Sequence, residues 1–198
     1  LKKKTYEELI KESPVTYDMY ANMEDDGRRY EISDGVLELM SPAPTPTHQS
    51  VSQELLFSLN ATCRTEYIIY VSPVDVILSA TEVRQPDLVM IHRSRMGIIG
   101  SKGINGAPDL VVEVSSKHSR RRDKVQKCIV YAKYGVPEYW IVDLSNFTLE
   151  QYVLDGERYE LIDVYAEDDK ISSKAASCAS FSMGEIVRNL PIQPDKIN

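Results

Sequence analysis

Apolar and polar positions change their period several times along this chain, and each change marks an element. Leu110, Val111, Val112 and Val114 form a β-type run with one acid, Glu113, inside it. A basic stretch of helical period follows from Ser119 to Tyr134, then a break at Gly135 and Pro137, then a second apolar strand from Tyr139 to Val142. Strand, helix, strand is the unit that builds an α/β sheet with helices on its faces. Upstream, Thr5 and Glu8 make a capping box for a short helix through Glu12, stopped by Pro14. Residues 28–41 read as a hairpin turning at Asp34-Gly35, with Glu31 between two core positions and pointing to the other face. Thr47 is predicted to cap a helix with apolar positions Val51, Leu55, Leu56 and Leu59, and His48 lies in its first turn. Strands are expected at 67–71, 74–78 and 86–91, the last with Asp87 at its start. Residues 95–107 carry four glycines but no Walker lysine-serine pair, and read as a flexible surface loop. A second hairpin, 148–154 and 158–165, turns at Asp155-Gly156, and 183–190 supplies a last helical turn or two.

Two faces of the central helix separate by spacing. Val125, Cys128, Ile129 and Ala132 follow i, i+3, i+4, i+7 and are predicted to be its buried stripe. Asp123, Lys127, Tyr131 and Tyr134 fall on a different face, which presents an acid, a lysine and a phenol in a row.

The 198 residues suit one domain, 1–198. A formal net charge of -7 argues against broad, non-specific coating of nucleic acid. The segment 117–127 departs from this balance, with six cations against one acid. Cations at a helix start oppose the macrodipole, and phosphate contact by Arg120, Arg121, Arg122 and Lys124 would explain them. Cys63, Cys128 and Cys178 are widely spaced with no CxxC, which fits reduced thiols of a cytoplasmic protein. His48, His92 and His118 show no zinc spacing. No apolar run reaches transmembrane length and no signal-type segment is evident, so no membrane partner is expected.

An acid inside an apolar strand is costly unless something pairs with it. Asp87 and Glu113, on neighbouring strands, can hold a hard divalent cation such as Mg²⁺. Such a cation binds a phosphodiester oxygen and lowers the pKa of a metal-bound water, while a lysine stabilises the charge growing on phosphorus. Two acids and a lysine are a sufficient toolkit for phosphodiester hydrolysis.

The residues that carry a resemblance are Tyr30-Glu31 before Asp34-Gly35, Ser41-Pro42 with His48, and Gln85-Pro86-Asp87. They continue with Pro108-Asp109, Val112-Glu113-Val114 and Ser116, Asp123-x-x-x-Lys127-x-x-x-Tyr131, and the run Gly135 to Asp143. In this order, over about residues 5–165, they resemble the PD-(D/E)XK restriction-endonuclease-like superfamily, and more narrowly the Uma2 family. The resemblance implies a mixed β-sheet flanked by α-helices, here with additional β-hairpins, a Mg²⁺-dependent DNA endonuclease site (Mn²⁺ being the alternative cation), and often a homodimer. It implies Asp87 and Glu113 as metal ligands and Glu31 as a further acid at the margin of the site. The superfamily lysine usually stands two residues after the acid, where this chain has Ser115. The resemblance moves it onto the following helix, to Lys127. His48 reads as a local polar contact rather than a general base, and Asp123 as an accessory acid. Tyr131 either orients Lys127 or a phosphate, or only packs. Two other readings stand beside the nuclease. One is a catalytically inactive module of the same fold that binds DNA or a protein partner. The other is an assembly protein whose dimer forms through the apolar hairpin residues Phe147, Leu149, Tyr152 and Leu154.

Overall fold

The computed structural model describes residues 3–11, 14–117 and 119–191. Helix α1 (Tyr6–Leu9) starts at the Thr5–Glu8 capping box, and α2 (Tyr17–Ala21) follows with Thr16 as its cap. The first helix is shorter than expected, ending at Leu9 with Ile10 as its C-cap, while Glu12 itself lies outside the described residues. Strands β1 (Tyr30–Ser33) and β2 (Val36–Leu39) form the first hairpin, with Asp34 and Gly35 both at positive φ. Helix α3 runs Pro46–Cys63. Its cap is Thr45, not Thr47, because Pro46 takes the first helical position, where a missing N–H costs nothing. Next come β3 (Tyr67–Val71), β4 (Val76–Ser79), β5 (Glu82–Arg84) and β6 (Leu88–His92). The glycine-bearing segment is more ordered than expected: a 3₁₀ turn spans Arg93–Ile98, and β7 (Ile104–Asn105) pairs parallel with β4. The central unit is β8 (Leu110–Ser115), a π-wound turn (Arg122–Lys127), α4 (Cys128–Lys133) and β9 (Glu138–Asp143). The chain continues through β10 (Thr148–Asp155) and β11 (Arg158–Tyr165) to α5 (Met183–Arg188).

These strands build two sheets. The larger has the order β11-β10-β9-β8-β6-β3, and its one parallel pair is β8 with β9, the two strands joined by the helical crossover. The smaller has the order β2-β1-β5-β4-β7. Alternation along the strands of the large sheet divides its side chains between two cores. Leu88, Met90, Leu110, Val112 and Trp140 pack with α3, α5 and the C-terminal segment. Val89, Ile91, Val111, Tyr139 and Ile141 pack with Tyr131, Val136 and residues of the small sheet. Glu113 shares the second side with Val111, so its carboxylate points into the space between the large sheet, the crossover helix and the small sheet.

Two expectations change here. Cys63 and Cys178 form a disulfide across 115 residues and only Cys128 is free, so the cysteines no longer argue for fully reduced thiols. The two sulfurs meet because α3 and the C-terminal segment cover one face of the sheet, a proximity that spacing cannot show. The hairpin residues Leu149, Phe147 and Tyr152 pack into the cores rather than forming a free interface, because β10 is flanked by strands on both sides. The exposed apolar side chains of this region lie on the edge strand β11: Leu161, Ile162 and Val164. Reducing the Cys63–Cys178 bond releases a long loop in the unfolded chain. It is expected to lower stability by about 2–4 kcal/mol, and calorimetry with and without reductant reads this as a Tm fall of roughly 5–15 °C.

Candidate active site

Five separate segments bring charged or titratable side chains to one place. Strands β6 and β8 are antiparallel, with Leu88 opposite Val112, which sets Asp87 beside the Glu113–Val114 end of β8. Asp87 Oδ2 accepts the Val114 N–H at 2.7 Å. Helix α3 places His48 Nε2 3.2 Å from the same oxygen. Glu113 Oε1 accepts from Lys127 Nζ at 2.6 Å and from the Tyr131 hydroxyl at 2.9 Å. Lys127 also lies 3.9 Å from Glu31 Oε1 and 3.9 Å from Asp123 Oδ1, so one ammonium faces three carboxylates. All four of these charged groups are buried.

The winding of the crossover helix makes this convergence. Four residues overrun one α-turn but fall short of one π-turn. Asp123 to Lys127 crosses the π-wound turn and Lys127 to Tyr131 crosses the α-helix, so the opposite offsets cancel and the three side chains line up. The predicted buried stripe holds at Ala132, which is buried, and at Cys128, which packs partly buried against the second core, and is corrected at its other two positions. Val125 is 50% and Ile129 65% exposed, while Asp123, Lys127 and Tyr131 are buried. Apolar spacing failed here because the polar face finds its partners on β8 and β1.

Glu31 stands deeper in the cluster than the margin expected for it. Its Oε1 accepts the Gln85 N–H at 2.9 Å and its Oε2 lies 3.5 Å from Arg84 Nη1. Arg84 in turn pairs with Glu82 and donates to Ser33 Oγ at 2.8 Å. Spacing had no means of finding Arg84, because β5 is three residues long and was not expected. Of the four cations proposed for phosphate, Arg120 is tied to Asp143 and Ser145, and Lys124 to Glu150. Arg121 is exposed. Arg122 is half-buried, lies close enough to Glu31 and Lys127 to act on their charge, and has a buried Nε with no partner among the described residues.

The family model described as "Uma2: Putative restriction endonuclease" matches residues 16–183. The chain belongs to the Uma2 family. A solved structure with which it shares its fold is that of a putative nuclease belonging to DUF820 from Anabaena variabilis ATCC 29413. The TM-score is 0.70 at 18% identity, over 87% of this chain and 97% of that one. No curated protein matches. The restriction-endonuclease-like α/β fold expected for a Uma2 chain is therefore the one observed.

Within the Uma2 site, charge crowding shapes the ionisation of each group. Burial, opposed by Lys127 and reinforced by Asp87 and Asp123, pushes the Glu113 carboxyl up to about 8. Burial would also raise Glu31, but Lys127, the Gln85 N–H and Arg84 together hold it below the usual carboxylate range. Burial would lower Lys127, and Glu113, Glu31 and Asp123 outweigh it, so the ammonium stays charged. Burial keeps the Tyr131 phenol protonated as a donor. His48 is raised, its hydrogen bond and proximity to Asp87 overcoming burial.

A pH dependence of stability follows. The native value of Glu113 exceeds its unfolded value of 4.5, so the folded protein binds a proton that the unfolded chain releases between roughly pH 4.5 and 8. Stability falls as pH rises through that window. His48 acts in the same direction, since the contribution of a raised histidine is lost as pH passes its native value. We expect Tm, measured in chelator, to decline from pH 5 to pH 8, and Glu113→Gln to flatten the decline.

Proposed function

We propose that this protein is a divalent-cation-dependent DNA endonuclease that hydrolyses phosphodiester bonds. The observation that supports this most is the convergence of Asp87, Glu113 and Lys127 from three elements, with Lys127 2.6 Å from Glu113. The donor chemistry suits a hard cation. Two carboxylates crowd one site, and burial, reinforced by the charges of Asp87 and Asp123, raises the Glu113 carboxyl to about 8. Among the described residues no group of three or more His, Cys, Asp or Glu forms a ready-made metal cage. That accords with Mg²⁺ or Mn²⁺, since Mg²⁺ usually takes one or two carboxylates and completes its shell with water and substrate phosphate. Asp87 and Glu113 would hold the cation, which when bound lowers the pKa of a water and neutralises phosphate charge.

The chain's own groups do the rest. Lys127 stabilises the charge that grows on the phosphate oxygens. Glu31 and Asp123 hold that ammonium in place, and Tyr131 fixes the Glu113 carboxylate. His48 and the Val114 N–H orient Asp87. Arg122 is the cation best placed to meet the DNA backbone. Two such sites in a dimer would cut both strands of a duplex in one encounter. The edge strand β11, with Leu161, Ile162 and Val164 exposed, favours a homodimer, which light scattering over a concentration series tests. Such an enzyme works in the compartment that holds the DNA, the cytoplasm. Among the described residues no helix is long and apolar enough to cross a membrane.

One observation favours the inactive module instead: Lys127 is buried and saturated by carboxylates, as in a structural ion cluster. Titration of Mg²⁺ and Mn²⁺ into wild type and Asp87→Ala/Glu113→Ala, with and without a short duplex, separates the two. Binding by wild type alone supports the nuclease. Absence of binding even with duplex present rejects it.

A further inference from the structure

Among the described residues seven cations are buried or half-buried, and five of them pair with a carboxylate: Arg84, Arg95, Arg120, Lys124 and Lys127. The two left over are Arg29 and Arg122. Arg122 comes from the crossover helix and acts on Glu31 and Lys127. Arg29 comes from the small sheet, just before β1. The β1–β2 pairing extends to it, since the Arg29 carbonyl accepts the Met40 N–H at 2.9 Å. Side chains alternate along extended chain, so Arg29 leaves on the same side as Glu31, while Tyr30 and Ile32 turn to the core of the small sheet. Its Nη1 meets Ser72 Oγ at 3.4 Å, and the Ser72 N–H donates to the Asp87 carbonyl at 2.9 Å. The guanidinium therefore lies against the segment that carries Asp87. It has lost part of its water, and one neutral hydroxyl at the long limit of a hydrogen bond is a weak replacement.

Arg29 also walls a cavity of about 440 Å³, together with Tyr70, Asp75, Gln85 and the loop 99–103. Gln85 ties this wall to the acid cluster, its backbone N–H donating to Glu31 Oε1 at 2.9 Å. Lys102 adds an exposed second cation, with no carboxylate partner among the described residues, and Ser101 adds an exposed hydroxyl. The one acid of the wall, Asp75, is already engaged. Its Oδ1 accepts from Gln85 Nε2 at 2.8 Å and its Oδ2 from the Tyr17 hydroxyl at 3.1 Å, and burial pushes its carboxyl up. Gly103 lets the loop close in, since a Cβ there would lie 2.6 Å from the Asp75 carbonyl. Two cations without carboxylate partners and a free hydroxyl around one cavity suit a phosphodiester, which takes a guanidinium fork and a hydroxyl donor equally well.

We propose that Arg29 and the cavity it walls form a second phosphate site, which holds the DNA backbone beside the phosphate that is cut. Arg29 supplies the fork and Lys102 adds charge from the loop, while Arg122 meets the strand from the crossover helix. The proposal deepens the nuclease reading and rests on it for the identity of the ligand as DNA. It carries no base preference, because every nucleotide presents the same phosphate.

The test is fluorescence anisotropy with a labelled duplex and a labelled single strand of mixed sequence, across a NaCl series and in chelator so that nothing is cut. Arg29→Gln should weaken binding roughly five- to tenfold at about 0.1 M NaCl. Its slope of log affinity against log salt should be shallower by about 0.9 on the duplex or about 0.7 on the single strand, the signature of one lost phosphate contact. Arg29→Lys keeps the charge and should keep the wild-type slope, which separates a lost contact from a damaged fold. Arg158→Gln removes an exposed cation at the opposite edge of the large sheet and should change neither quantity. Wild-type affinity and slope in Arg29→Gln overturn the second site and leave the nuclease reading standing. An equal loss in Arg158→Gln also overturns it, because the effect would then be net charge alone. Failure of the wild type to bind either DNA overturns both readings. A slope that depends on Arg29 in a protein that never cleaves with Mg²⁺ or Mn²⁺ keeps the phosphate site and removes hydrolysis.

Discussion

Glu113→Gln is expected to reduce cleavage of DNA by about 10³-fold or more while leaving the protein folded. The substitution keeps the shape of the side chain and removes a carboxyl group that a bound cation would engage in its ionised form. It takes away one of two proposed cation ligands and alters the contact to Lys127 at 2.6 Å. Lys127 retains Glu31 and Asp123, each at 3.9 Å, so the ammonium is not left bare. Lys127→Met should abolish cleavage to a similar degree and also destabilise, by about 3–5 kcal/mol, because three buried carboxylates lose their common partner. Nicking of a supercoiled plasmid with Mg²⁺ or Mn²⁺, read beside thermal unfolding, measures both quantities. Activity within tenfold of wild type in a folded Glu113→Gln protein would remove Glu113 from the catalytic machinery.

Glu138→Ala is expected to cost about 3–5 kcal/mol of stability, a fall in Tm of roughly 6–20 °C. Glu138 opens β9 and is fully buried. One carboxylate oxygen accepts from Trp140 Nε1 at 2.6 Å and Gln151 Nε2 at 2.8 Å, and the other accepts the Ala175 N–H at 3.0 Å. Gln151 carries the network on to the Ser172 carbonyl and the Tyr165 hydroxyl. Alanine would strand the Trp140 N–H, leave Gln151 Nε2 with only the Ser172 carbonyl, and free the Ala175 N–H, loosening the C-terminal segment from the sheet. Glu138→Gln, which keeps acceptor capacity at one atom, should recover part of the loss. Equal melting of wild type and Glu138→Ala would mean that this network does not hold the segment down.

Local elements were legible where local chemistry sets them. The capping box at Thr5, the turn at Asp34-Gly35, the Gly135-Pro137 break and the Asp155-Gly156 hairpin all stand as read, because each depends on backbone preferences within a few residues. Misreadings came where a neighbour in sequence competed with a neighbour in space. Pro46 moved the α3 cap to Thr45. Pairing with β1 and β4 turned Glu82–Arg84 into a strand that its short length had hidden. Pairing with β4 likewise ordered part of a glycine-rich stretch that looked like loop.

The sequence by itself determined the chemistry available: an acid inside an apolar strand, a second acid after a proline, and a lysine among polar residues at helical spacing. A buried charge needs a partner, so Glu113 called for one from residue type alone, and the family resemblance pointed to Lys127. Only the tertiary structure decided which face of the crossover helix is buried, because a change from π to α winding and the carboxylates of Glu31 and Glu113 on two other elements outweigh the exposure of Val125 and Ile129. It alone brought Glu31, Arg84 and Gln85 from the small sheet to Lys127, and Cys63 to Cys178. The physical reason is that burial cost is local to a residue, while the charge or sulfur that offsets it can come from anywhere along the chain.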